Sequence, residues 1–185
     1  MKNLQTIKLI AVLFISSILL SSCSDDHHED GHDHEEELIT TVTYTLSNGS
    51  DVVMLKFQDL TGGSIDDATY EVSGPLNANT IYTGSVELLN ETESPADNIT
   101  MEVKAEGDEH EFFYLSSVIG VLISKTDTDV NGNPIGIETS LTTGNAGAGT
   151  LTIILKHEPT KPNNGVSDAA GGSTDAEVTF NITVQ

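Results

Sequence analysis

Residues 176–184, AEVTFNITV, place Val178, Phe180, Ile182 and Val184 on one side of an extended chain and Glu177, Thr179, Asn181 and Thr183 on the other. Successive side chains of a strand point to opposite faces, so strict alternation of this kind specifies a strand with one face buried and one in water. Thr40, Val42, Tyr44 and Leu46 repeat the pattern, then Asn48-Gly49, then Val53, Leu55 and Phe57. An Asn-Gly pair between two alternating runs predicts a hairpin. Further strands are expected at about 68–73, 80–89, 111–124, 135–142 and 151–157. Residues 95–106 alone suggest a helix, with Asp97 or Asn98 as N-cap, Ile99 and Val103 four apart, and Gly107 as the stop. Segments 144–149 and 161–173 are rich in turn-forming residues and are expected to be connections.

One short helix among about eight strands describes an all-β fold. Two packings compete, an immunoglobulin-like two-sheet β-sandwich and a small up-and-down β-barrel. The stretch Leu76-Asn-Ala-Asn-Thr80-Ile-Tyr82, with Val86 beyond it, resembles the turn and strand of fibronectin type III domains. There a tyrosine just inside a strand folds back on the preceding turn, the tyrosine corner. That likeness covers about a dozen residues, has Ala78 where the family usually has proline, and implies the sandwich.

The first 22 residues read as an export signal. Lys2 and Lys8 precede the apolar run 9–20, LIAVLFISSILL. Its twelve residues would rise about 18 Å as a helix, against roughly 30 Å of bilayer hydrocarbon. Leu20-Ser21-Ser22-Cys23 resembles a lipobox, in which the cysteine thiol accepts a diacylglycerol and becomes the first mature residue. Cys23 is the only cysteine, so no disulfide can form within the chain. Cys23-Ser24-Asp25-Asp26 is similar to the surface-export signal of Bacteroidota lipoproteins. It implies a lipid-anchored outer-membrane protein exposed at the cell surface, the alternative being one that faces the periplasm.

Charge narrows the partners. Seven basic residues, all lysine, oppose 29 acids for a net charge of −22, and loss of Lys2 and Lys8 with the signal takes it to −24. No basic footprint for phosphates is present, which excludes nucleic acid. Membrane attachment falls to the lipid on Cys23. The lipidated cysteine is followed by a tether, the two together spanning residues 23–37. Positions 24–37 hold eight acids and four histidines and no apolar side chain. Such a segment cannot offset its ordering entropy by burial and is expected to be disordered, with a reach of about 45 Å. Residues 38–185 form the single folded β domain.

Three constellations could hold metal. In the tether, His27, His28, His32 and His34 lie among acids that include Asp30 and Asp33. Imidazole with carboxylate suits Zn, Cu or Ni. The second runs from Asp127 to Glu138 and matches the spacing of a calcium loop. Asp127, Asp129 and Asn131 would give side-chain oxygens, Asn133 a backbone carbonyl and Glu138 a bidentate carboxylate. Pro134 is foreign to that motif and the flanks read as strands, so a solvated hairpin turning at Asn131-Gly132 competes with it. The third is Glu106, Asp108, Glu109, His110 and Glu111, a second metal site or merely a charged loop. His157 continues the Leu151, Ile153, Leu155 face and reads as a core or edge histidine. The chain contains no nucleophile-elbow, phosphate-loop or zincin motif, so a catalytic residue is not assigned and an enzyme is not expected.

The lipobox, the tether, residues 88–95, the segment Gly107-Asp-Glu-His110 and the C-terminal Gly171-Gly172, Asp175 and Gln185 together resemble a group of uncharacterised flavobacterial lipoproteins, over most of the mature chain. Some members carry the label of a type 1 periplasmic binding fold. That fold needs two lobes of alternating strand and helix, which the β pattern here does not provide. The resemblance implies no activity. The expected role is divalent-metal binding through the tether, accessory to an outer-membrane transporter. The alternative is a structural β-sandwich module that binds protein or glycan, with the tether as spacer.

Overall fold

The computed structural model describes residues 38–61 and 67–185. Among the described residues, nine strands alternate with two short helices. They are β1 (Thr41–Asn48), β2 (Asp51–Gln58), β3 (Thr69–Val72), β4 (Ile81–Leu89), α1 (Ile99–Ala105), β5 (His110–Ser116), β6 (Leu122–Lys125), β7 (Glu138–Thr142), β8 (Gly147–His157), α2 (Ser167–Ala170) and β9 (Ser173–Val184). The strands form two antiparallel sheets, one of order β3-β2-β1-β4-β7-β6 and one of order β5-β8-β9. Neither sheet closes on itself, so the fold is a two-sheet sandwich and not a barrel. The six-and-three division differs from the four-and-three of an immunoglobulin constant domain.

The alternation read from the sequence becomes the core. In β9, Val178, Phe180, Ile182 and Val184 are buried while Glu177, Thr179, Asn181 and Thr183 are exposed. Each buried side chain contributes about 1.5–3 kcal/mol over leaving it in water. Opposite them the larger sheet supplies Val42, Tyr44, Leu46, Leu55 and Leu88 to the same cluster. The β1–β2 hairpin pairs Asn48 with Asp51, so its central residues are Gly49 and Ser50, one position later than the Asn48-Gly49 turn expected. Only Gly49 of these two has positive φ, at +61°, which makes a type II′ turn, with glycine first.

Tyr82 closes the expected corner. Its hydroxyl accepts the Asn77 backbone N–H at 2.9 Å and donates to the Asp51 carboxylate at 2.5 Å. The first bond ties the turn before β4 to the strand itself, and the second ties β4 to the start of β2. Tyr82→Phe is expected to lower unfolding free energy by about 1–2 kcal/mol; urea titration should show the lower midpoint with an unchanged m-value.

Three segments depart from expectation, the first being the expected 144–149 connection, whose last three residues already belong to β8, which begins at Gly147. The run 111–124 is not one strand. It divides into β5 and β6, which lie in different sheets, with the turn at Gly120 (φ +84°) between them. Within the 161–173 connection, residues 167–170 form the extra helix α2. The expected helix is present as α1, with Asn98 at the N-cap position but no capping bond from its side chain, and it buries Ile99 and Val103.

Candidate metal centre

The helix α1 leads the chain from the larger sheet to the smaller one and delivers His110 as the first residue of β5. From there, period two sends Phe112 and Tyr114 to the main core, whereas Phe113 joins a separate cluster with Ile154 and Ala170 on the other face. His110 shares the Phe112 side and is fully buried. It pairs across the ladder with His157, the last residue of β8. The two imidazoles stack with centroids 4.7 Å apart.

The third member comes from an irregularity. Along the β8–β9 ladder the register runs from Leu155↔Ala176 to Lys156↔Thr174, so Asp175 is the extra residue of a β-bulge. A bulge interrupts the alternation and re-aims a side chain. The Asp175 carboxylate is accordingly 5% exposed, with Oδ2 3.9 Å from His110 Nε2. One ligand atom from each of His110, His157 and Asp175 lies within 4.8 Å of the others, the one such group of histidine and acid among the described residues.

The hydrogen bonding of His110 fixes what it offers. Its Nδ1 is 3.1 Å from the Glu106 carbonyl oxygen. A carbonyl only accepts, so Nδ1 carries a proton, and Nε2 is the ring atom that faces Asp175. An imidazole nitrogen and a carboxylate oxygen facing one another can share a proton or a cation. Their 3.9 Å separation is beyond a direct hydrogen bond. In a tetrahedral zinc site the two ligand atoms would lie about 3.3–3.5 Å apart, so the pair closes by about half an ångström when it holds the ion. The carbonyl behind His110 is the outer partner that metal-bound histidines commonly have. Two nitrogens and one oxygen, without sulfur, suit Zn, Cu or Ni and leave a coordination position open.

Comparison with family models, with curated proteins and with solved structures returned no match. The geometry of the described residues therefore carries the functional argument.

The expected sites distribute as follows. Cys23 and the tether residues His27, His28, Asp30, His32, Asp33 and His34 lie outside the described residues. In the Asp127–Glu138 loop, the carboxylates are turned to protein donors. Asp127 accepts the backbone N–H groups of Gly136 and Ile137 at 2.8 and 3.0 Å. Asp129 Oδ1 accepts those of Asn131 and Asn133 at 2.9 and 2.8 Å. Asp129 Oδ2 takes the Asn133 amide and the Lys161 ammonium, each at 3.4 Å. Burial alone would raise the Asp129 pKa, but these donors hold it below the usual carboxylate range. Glu138 sits at the start of β7 and accepts from Ser85 at 3.1 Å. Thr128 bridges to Pro134, closing a hairpin around Asn131 and Gly132. The loop is thus a hydrogen-bonded turn in which both aspartates give their oxygens to donors of the protein itself.

Of the third cluster, only His110 reaches the centre. Glu111, its neighbour on the opposite face of β5, bonds Lys125 and Asn163 instead. Sequence reasoning placed His157 on the core face but did not select Asp175. Its nearest signal was the glycine pair before it, since Gly171 and Gly172 both have positive φ.

Proposed function

We propose that this protein is a surface-exposed outer-membrane lipoprotein that binds a divalent transition metal, Zn, Cu or Ni. The folded domain holds the ion through His110, His157 and Asp175. The His/acid tether captures it from solution, and the ion is passed on to an outer-membrane transporter. The convergence of one ligand atom from each of three adjacent strand ends is the observation that supports binding by the domain. Lipidation at Cys23 and the tether's share rest on the sequence patterns alone.

The test is calorimetric titration of Zn, Cu and Ni into the mature chain from Ser24 and into a chain beginning at Leu38. One site in the shorter chain, abolished by His157→Ala, is the expected result, with additional weaker sites in the longer one. Co(II) should then give the absorption of a low-coordinate nitrogen–oxygen site in the shorter chain. Binding confined to the longer chain would remove the domain site and leave the tether. Absence of binding to both would end the metal reading in favour of a protein- or glycan-binding module.

A further inference from the structure

A second cluster lies on the other face of the smaller sheet and takes no part in the metal reading. Glu111, on β5, is 3% exposed. One of its carboxylate oxygens receives the Lys125 ammonium from β6. The other receives the side-chain amide nitrogen of Asn163 at 2.7 Å. A single buried carboxylate therefore holds an amine and a carboxamide side by side. The Asn163 amide is fixed on both its atoms as well. Its nitrogen donates also to the Thr160 carbonyl at 3.0 Å, and its oxygen accepts the Gly165 backbone N–H at 2.8 Å. Lys125 lies 4.3 Å from the centroid of the Phe113 ring. All three polar side chains line a cleft of about 260 Å3 walled by Asn133, Pro134, Pro162 and Gly165.

We propose that Lys125 and Asn163 join in an intramolecular isopeptide bond, formed by the protein itself with Glu111 as its acid–base group. The Glu111 carboxylate takes a proton from the Lys125 ammonium, which frees the Nζ lone pair. Nζ attacks Asn163 Cγ, and the charge that develops on Oδ1 is met by the Gly165 N–H, a backbone donor already in place. The tetrahedral centre collapses with cleavage of the Cγ–Nδ2 bond. Glu111, which touches both nitrogens, returns its proton to the departing Nδ2, and the second Nζ proton follows. One C–N bond forms, one C–N bond breaks and ammonia leaves, with no oxidant or cofactor. Such proton transfer between positioned groups is ordinary general acid–base catalysis, and holding amine and amide together supplies the proximity that an amide exchange in water lacks. Burial also favours the neutral amine. It lowers the Lys125 pKa, and the nearby Lys161 adds to this, although Glu111 opposes both.

The bond would connect β6, the edge strand of the larger sheet, to the loop that follows β8 in the smaller one. A chain with one cysteine has no disulfide with which to make that connection.

The experiment is tryptic peptide mapping by mass spectrometry of the full mature chain, beside Lys125→Arg and Glu111→Gln, with circular dichroism confirming that each variant is folded. The expected wild-type result is a branched peptide that joins the Lys125 and Asn163 segments, one ammonia lighter than their sum and uncleaved at Lys125. Both variants should give linear peptides. Linear peptides with an unmodified Lys125 in the wild type would overturn the proposal. So would ammonia loss located at Asn131-Gly132 or Asn164-Gly165, where the backbone itself can cyclise. A branched peptide that survives in Glu111→Gln would overturn the assigned chemistry.

Discussion

Gly172→Ala should destabilise the domain by about 3–5 kcal/mol and abolish metal binding with it. Gly172 has φ +69°, a conformation that costs an alanine energy on its own account. Space is the larger problem. A Cβ at this position would lie 2.1 Å from the His157 carbonyl oxygen and 2.9 Å from the Glu158 carbonyl carbon. Both neighbours are backbone, so no rotamer change relieves the contact and the strand ends must separate. Gly172 immediately precedes β9 and packs on the end of β8, the two strands that carry Asp175 and His157. Gly171→Ala is the control, because a Cβ there meets nothing within 4 Å although its φ is also positive, at +75°. With ψ −155° its backbone lies in a region essentially reserved for glycine, so the substitution should cost about 1–3 kcal/mol through the backbone alone and leave the ligands in place. Chemical denaturation and zinc titration of the two variants measure the difference, and equal losses would show that the close approach to His157 is unimportant.

Zinc should raise the melting temperature of the wild-type domain by about 5–11 °C at a free concentration of one hundred times Kd. Binding to the native state alone adds about 2.7 kcal/mol under those conditions. For a domain of this size each kcal/mol moves the midpoint by about 2–4 °C. Asp175→Asn keeps the shape of the side chain and removes its charge. It should reduce affinity by more than the roughly 10–100-fold that loss of an outer partner costs, so the zinc-induced shift falls to near zero at the same concentration. Asp168→Asn, on the exposed side of α2, should respond to zinc as the wild type does. If Asp175→Asn retained the full shift, the carboxylate would not be a ligand and the site would reduce to the two histidines.

The alternation of apolar and polar residues determined the class of fold and much of the core, because a half-buried strand has no other way to satisfy both of its faces. Val178 to Val184, the β1–β2 hairpin and the inward side of His157 all follow from it. The single helix-like stretch also fell where expected, since Ile99 and Val103 are four apart and Gly107 stops the run. Local pattern could not divide residues 111–124. Apart from Glu111 and three serines the run is apolar, and Gly120 is its only glycine or proline, so the crossing from one sheet to the other leaves little mark in composition.

The candidate metal centre shows the same limit more sharply. Counting in twos from Phe180 and Val178 puts Thr174 and Ala176 inside and Asp175 outside. The extra residue opposite Leu155 and Lys156 reverses that parity, and only pairing with β8 creates it. The Asp127–Glu138 spacing, by contrast, was clear in the sequence, yet folding turned its carboxylates onto the backbone N–H groups of its own turn. Periodicity is a property of one strand and survives being read alone. Which acids converge on which histidines depends on register between strands far apart in the chain, and that was decided only when the sheets assembled.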